Sequence, residues 1–248
     1  MSQAWPTAWG NQTNMRALWL LGPALWIAAC SGTPTGNGDP SGACAAWDGG
    51  TLPPTERYLP LKVGASWTYQ VTSLTAGNYT KQDFVEAYED IGGSRAGTMG
   101  FRIHRDDVPP AYTVSWQQDL GRSVVRLREK SFDNSGALVE EIYFDPSKLR
   151  LDECPEHTTA GATWIVNYTE TDITTTSTTM NAKSQQWTVN GVDVSITVPA
   201  GTFTTLNVSR VNIGNSKRWQ YWFAKGVGKV KEVSDTGVME ALSAYTLP

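Results

Sequence analysis

The sequence predicts an all-β domain, an antiparallel open barrel or sandwich made of two similar halves. Three observations point that way. Seven tryptophans follow position 30 (Trp47, Trp67, Trp116, Trp164, Trp187, Trp219 and Trp222) among many Thr, Val and Tyr residues, a composition that suits pleated backbone. Apolar and polar residues alternate in run after run, the period of a half-buried strand. Landmarks of the first half recur in the same order in the second. With 20 Lys and Arg against 24 Asp and Glu, the net charge is −4 and no basic run stands out, so no nucleic-acid partner is expected.

Residues 1–29 read as an export signal. Arg16 precedes an apolar run from Ala17 to Ala29, and two alanines stand directly before Cys30. The run is interrupted by Gly22-Pro23 and falls short of the about 20 apolar residues that a spanning helix needs. Met15, next to Arg16, is an alternative start. The stretch Leu25-Trp-Ile-Ala-Ala-Cys30 resembles the bacterial lipobox, which implies that Cys30 is acylated and heads the mature chain. A plain signal cut after Ala29 is the alternative. By resemblance to enteric lipoproteins, where aspartate after the lipidated cysteine retains the protein at the inner membrane, Ser31 favours the outer membrane of a bacterial envelope.

Residues 30–57 combine that cysteine with a flexible tether dense in Gly, Pro, Ser and Thr. Cys44 and Cys154 are the remaining cysteines. In an exported chain a bridge between them is the simplest reading, with two free thiols as the alternative. Such a bridge closes a loop of about 110 residues, worth at most roughly 4.7 kcal/mol in the chain-entropy description.

The β domain is expected over residues 58–248. Trp67, Tyr69 and Val71 alternate with polar residues in a first strand. Asp83 to Ile91 is read as a strand, although Phe84, Tyr88 and Ile91 also fit one helical face; Gly92-Gly93 and Met99 to Ile103 favour a hairpin. Further strands are Tyr112 to Gln117, Ser123 to Glu129 and Leu138 to Phe144, the last ended by Asp145-Pro146, with Ser147 to Thr159 as a connection. The threonine-rich run from Tyr168 to Lys183 reads as an exposed strand or loop. Gln186 to Ile196 is expected to turn at Asn190-Gly191, a strong hairpin signal. Val198 to Val211 and Arg218 to Val233 complete the strands, and Trp219, Tyr221 and Phe223 share one face of the last.

The halves, about 58–150 and 158–248, echo each other. Gly64-Ala-Ser-Trp67 corresponds to Gly161-Ala-Thr-Trp164, Ala96-Gly-Thr-Met99 to Ala200-Gly-Thr-Phe203, Arg105 to Arg210, and Trp116 to Trp222. Gly121-Arg122-Ser-Val124 stands opposite Gly228-Lys229-Val230. Chance matching of common strand and turn residues is the alternative to duplication.

Pro60-Leu-Lys-Val-Gly-Ala-Ser-Trp-Thr-Tyr69, Val198-Pro-Ala-Gly-Thr-Phe203 and Tyr221-Trp-Phe-Ala-Lys-Gly-Val-Gly-Lys-Val-Lys231 together resemble a family of largely uncharacterised bacterial lipoproteins. The resemblance spans about Tyr58 to Val233 and implies an envelope location but no activity. More loosely, the lipid-anchored layout of repeated strands resembles the open β-barrels of lipoprotein carriers.

Catalytic chemistry finds little support in the residues. Only His104 and His157 could serve as an imidazole base, and no Gly-x-Ser-x-Gly elbow is present. His104 lies in an alternating run beside Arg105 and Asp106, as a solvated strand face would. His157, with Cys154, Glu153 and Glu156, does not form the two paired ligand groups usual for zinc, so no metal and no cofactor is expected. Asp106-Asp107 and Glu140-Glu141 point to opposite faces of their strands and make no dyad. The expected role is a non-catalytic envelope lipoprotein, a structural or protein-interaction module held at the membrane through Cys30. The alternative is a carrier of a lipid or other apolar ligand, with Trp219, Tyr221 and Phe223 lining a cavity; a hydrolase is a third reading.

Overall fold

Val, Thr and aromatic residues at alternating positions make most of the chain extended, and the computed structural model, which describes residues 52–248, joins twelve strands in antiparallel order. Cys30, the tether up to Thr51 and Cys44 lie outside the described residues. The strands are β1 (Ser66–Ser73), β2 (Gly77–Asp90), β3 (Met99–Asp106), β4 (Tyr112–Asp119), β5 (Ser123–Phe132) and β6 (Leu138–Asp152), then β7 (Thr163–Thr174), β8 (Thr178–Val198), β9 (Gly201–Asn212), β10 (Arg218–Ala224), β11 (Gly228–Ser234) and β12 (Met239–Thr246). Each pairs with its sequence neighbours, and β12 pairs with β1. The expectation of an open barrel or sandwich is therefore corrected: the barrel is closed. Ser66 to Thr72 pairs with Thr246 back to Met239, so the terminal strands cover each other's unpaired edges.

Three strand boundaries also differ from expectation. Asn190-Gly191 is not a turn, because β8 runs through it as one 21-residue strand and turns at Pro199-Ala200. The glycine serves a bulge instead, where the register against β9 slips on both sides of Gly191. Pro146 does not end β6. It sits just past Asp145–Thr169, the last pair with β7, so its missing N–H removes no bond from that ladder. Arg218 to Val233 is two strands joined at Lys225-Gly226-Val227, and the closing strand β12 was not foreseen.

The echoed landmarks fall on corresponding strands six apart. Gly64 and Gly161 both have positive φ, 89° and 85°, just before β1 and β7. Gly64 N donates to Val85 O and Val85 N to Ala65 O, while Gly161 N donates to Val189 O and Val189 N to Ala162 O. The bulges at Trp116/Gln117 in β4 and Trp222/Phe223 in β10 also correspond.

Cross-strand register defines the two faces. Trp67, Tyr69 and Val71, all buried, stand opposite Asp83, Lys81 and Tyr79, and this set faces the barrel interior. The neighbouring outward positions carry Arg102 paired with Glu86, Arg128 paired with Glu141, and Lys231 lying over Trp222.

A strap precedes β1 and crosses one barrel end. The buried Arg57 reaches Glu153 after β6 (3.1 Å) and Asp119 at the end of β4 (2.7 Å), and its carbonyl accepts from Gly226 N in the β10–β11 turn. Glu153 also accepts from the backbone N–H groups of Tyr58 and Leu59. Because an L side chain at positive φ costs about 1–2 kcal/mol, Gly64→Ala and Gly161→Ala are each expected to lose that amount in urea unfolding. Open space surrounds Gly161, and only the Pro248 ring, at 3.5 Å, comes near Gly64. A loss under about 0.3 kcal/mol at either position would contradict the shared left-handed turn.

Candidate functional site

Inside the barrel, residues that share a face with the aromatics of β1 bring charges together. Lys81 on β2 meets Glu240 on β12 (2.5 Å) and lies 3.9 Å from Asp83. Glu240 also meets Lys229 on β11 (2.6 Å), which in turn meets Glu232 (2.5 Å). Arg105 on β3 lies 3.5 Å from Asp83, Arg126 on β5 pairs with Glu129, and Lys148 on β6 with Glu170 on β7 (3.2 Å). Lys81, Arg126 and Lys229 are buried almost completely. Burial alone would raise the carboxyls, yet Lys229 and Lys81 hold Glu240 far below the ordinary range, and Lys229 also lowers Glu232. Burial, reinforced by Arg126, pushes the Lys148 ammonium down to about 8.

These charges surround a cavity of about 50 Å³ lined by Leu59 and Leu61 of the strap, by Trp67, Tyr69, Ile103 and Phe223, and by Asp83, Arg105, Ser115, Gln117, Arg126, Arg150 and Lys229. A water needs about 10–15 Å³ of such volume, so only a few fit. The cavity is small and cationic.

The aromatic face of β10 is split. Tyr221 and Phe223 are buried in the core, Phe223 touching the cavity, whereas Trp219 is half-buried beneath the Arg210 guanidinium, 4.2 Å from its ring. Tyr221 continues a stack with Trp187, Trp164 and His157. No protein-family model, curated protein or solved structure matches this chain.

Neither histidine lines the central cavity. His104 lies on the outer face, stacked between Phe84 and Tyr112, with Asp106 at 3.3 Å and Glu86 at 3.8 Å. His157 Nδ1 is 2.7 Å from Asp152, and its ring stacks on Trp164 at 3.9 Å. Asp152, Cys154 and His157 bring their ligand-type atoms within 4.8 Å of one another. That cluster is a poor metal site, because Cys154 is fully buried, while Asp152 already accepts from His157 and from Cys154 N.

The sequence places Arg105, Arg210 and Lys229 as echoes between the halves without showing that Arg105 and Lys229 enter the interior, and it does not single out Lys81, Arg126, Arg150 or Glu240. One signal was available: Lys81 and Asp83 share the parity of Tyr79 and Val85, and Arg105 that of Ile103, which places charges on the apolar face.

The lowered carboxyls fix the sign of the acid response. Their stabilisation is complete above the ordinary carboxylate range of about 4–4.5 and is lost as pH falls through their depressed folded values. Glu240→Gln leaves Lys81 without its closest partner and Lys229 with Glu232 alone, so it is expected to cost about 3–5 kcal/mol in urea unfolding at pH 7 and to flatten the acid limb. A cost below about 1 kcal/mol with an unchanged acid limb would contradict this role.

Proposed function

We propose that the protein is a non-catalytic bacterial envelope lipoprotein whose barrel works through its outer surface as a structural or protein-interaction module, tethered at Cys30. The observation that carries this reading is the filled interior. Cavities that hold drug-sized apolar ligands measure about 300–1,000 Å³, whereas this one measures about 50 Å³ and is ringed by Arg105, Arg126, Arg150 and Lys229. Storage of an acyl chain has no support there, and a second cavity of about 310 Å³ at Tyr88, Met99, Phe101, Gln118 and Asp119 is an open cleft that does not enclose a ligand, so the carrier alternative is the weaker reading. The hydrolase reading has less still, since His157 and Asp152 meet away from the central cavity.

The outer face offers contact chemistry. Phe84, His104, Tyr112 and Phe132 form a cross-strand stack over β2 to β5, each half-buried. At the opposite barrel end from the strap, the β7–β8 hairpin projects threonines and the exposed Met180. Placement at the outer membrane rests on the lipobox-like stretch and on Ser31, and the family resemblance on the quoted motifs; both belong to this proposal.

Acylation at Cys30 predicts that Cys30→Ala moves the protein from the membrane to the soluble fraction, since each buried methylene contributes about 0.8 kcal/mol to retention. Continued membrane retention of that variant would refute the anchor. Native mass spectra of the released variant are expected to show the bare chain mass. A co-purifying lipid would restore the carrier reading. The proposed Cys44–Cys154 bridge is supported by export and by the burial of Cys154. Unreduced peptide mapping should yield one linked Cys44–Cys154 peptide, and alkylation of both residues without reductant would exclude it.

A further inference from the structure

Four cations line the cavity against the single carboxylate of Asp83. Three of them have carboxylate partners: Arg105 has Asp83, Arg126 has Glu129, and Lys229 has Glu232 and Glu240. Arg150 has none. Among the described residues it makes no ion pair, and its buried Nε makes no hydrogen bond, like the buried Nε of Arg126. Its strongest charged neighbours are three more guanidiniums, Arg126, Arg105 and Arg210. An unpaired buried charge is costly. The strain is visible in Arg150 itself, whose guanidinium is pushed down to about 9 by burial and by those cations.

The duplicated halves show where the imbalance arises. Asp83 stands opposite Arg105 between β2 and β3, whereas Trp187 occupies the matching place opposite Arg210 between β8 and β9. The second half thus keeps the arginine and lacks its carboxylate, and Arg210 rests on the rings of Trp219, Tyr221 and Trp187. Polar donors complete the picture. Gln117 Nε2 donates to Ser115 Oγ (3.1 Å), which leaves the Ser115 hydroxyl proton to point elsewhere, and both residues line the cavity.

We propose that this cavity is a binding site for a small oxyanion, a phosphate, sulfate or carboxylate group, held by Arg150 and Arg126 with Ser115 as a neutral donor. Guanidinium forks match the oxygen pairs of such groups and form strong charge-assisted hydrogen bonds with them. The volume, a few waters in size, admits a small anion and excludes a bulky organic one. The strap residues Leu59 and Leu61 close one side, so occupancy links the anion to the docking of residues 57–61 against the barrel.

The test is isothermal titration of the full-length mature protein in detergent with sodium phosphate, sodium sulfate and sodium acetate in turn, at constant ionic strength set with sodium chloride. Saturable binding of at least one of the three is expected, together with a rise in melting temperature that the chloride control lacks. Preference for phosphate or sulfate over acetate identifies a tetrahedral anion, and the reverse a carboxylate group. Arg150→Met should weaken binding by about tenfold or more. In anion-free buffer it should melt no lower than the wild type, because it removes an unpaired buried charge. Should Arg150→Met fail to fold, Arg150→Gln serves the same comparison. No saturable binding by the wild-type protein would overturn the proposal and leave a hydrated cationic cavity, as would an Arg150 variant with undiminished affinity.

Discussion

The carboxylate of Glu240 holds together the part of the barrel on which closure depends. It lies on β12 and receives Lys229 from β11 and Lys81 from β2, so its two ion pairs span the seam where the last strand meets the first. A barrel of eight strands is filled by ordinary side chains, and one of twelve encloses more space than Val and Leu can fill. Here the additional space is occupied by long residues, Lys, Arg, Trp and Tyr, whose charged heads meet in the interior while their stems pack against the wall. Every such head requires a partner in a medium that solvates it poorly. The interior is consequently a network across many strands rather than a set of isolated pairs, and removing one member exposes the others to the full desolvation cost.

The ends are managed differently. At one end Arg57 joins Glu153 and Asp119, and Glu153 also takes the amides of Tyr58 and Leu59, so backbone that would otherwise lie unpaired over the barrel mouth is satisfied. Trp67 donates to Val227 O and Tyr69 to Lys229 O, tying β1 to the β10–β11 hairpin across the same end. The strap is thereby part of the fold and places Leu59 and Leu61 against the central cavity.

Internal similarity explains both regularity and exception. Gly64 and Gly161 make the same turn with the same hydrogen bonds, and corresponding bulges occur in β4 and β10. Against that background the exchange of Asp83 for Trp187 stands out, because it alters the charge of the interior and not its shape alone. An aromatic face can accommodate Arg210 through its π electrons, with an energy of about 0.5–2 kcal/mol. It does not neutralise the charge, and Arg150 inherits the imbalance.

By itself the sequence determined the all-β class and the majority of the strands, because alternation is a local property that survives without knowledge of partners. The hairpin at Asn190-Gly191 and the stop at Asp145-Pro146 were misread for the same reason: both are strong local turn signals, overridden when neighbouring strands supplied bonds on either side and absorbed the irregularity as a bulge or an unpaired position. Closure through β12 was not legible, since Met239 to Thr246 carries a weak pattern of its own and becomes a strand by pairing with β1 and β11. The location of the charges depended wholly on tertiary structure. Lys81, Arg105, Arg150 and Glu240 look like solvated strand residues in a linear chain, and only curvature into a closed barrel turns one face of the sheet inward, where the same residues become wholly or largely buried, mutually dependent and, at Arg150, unpaired.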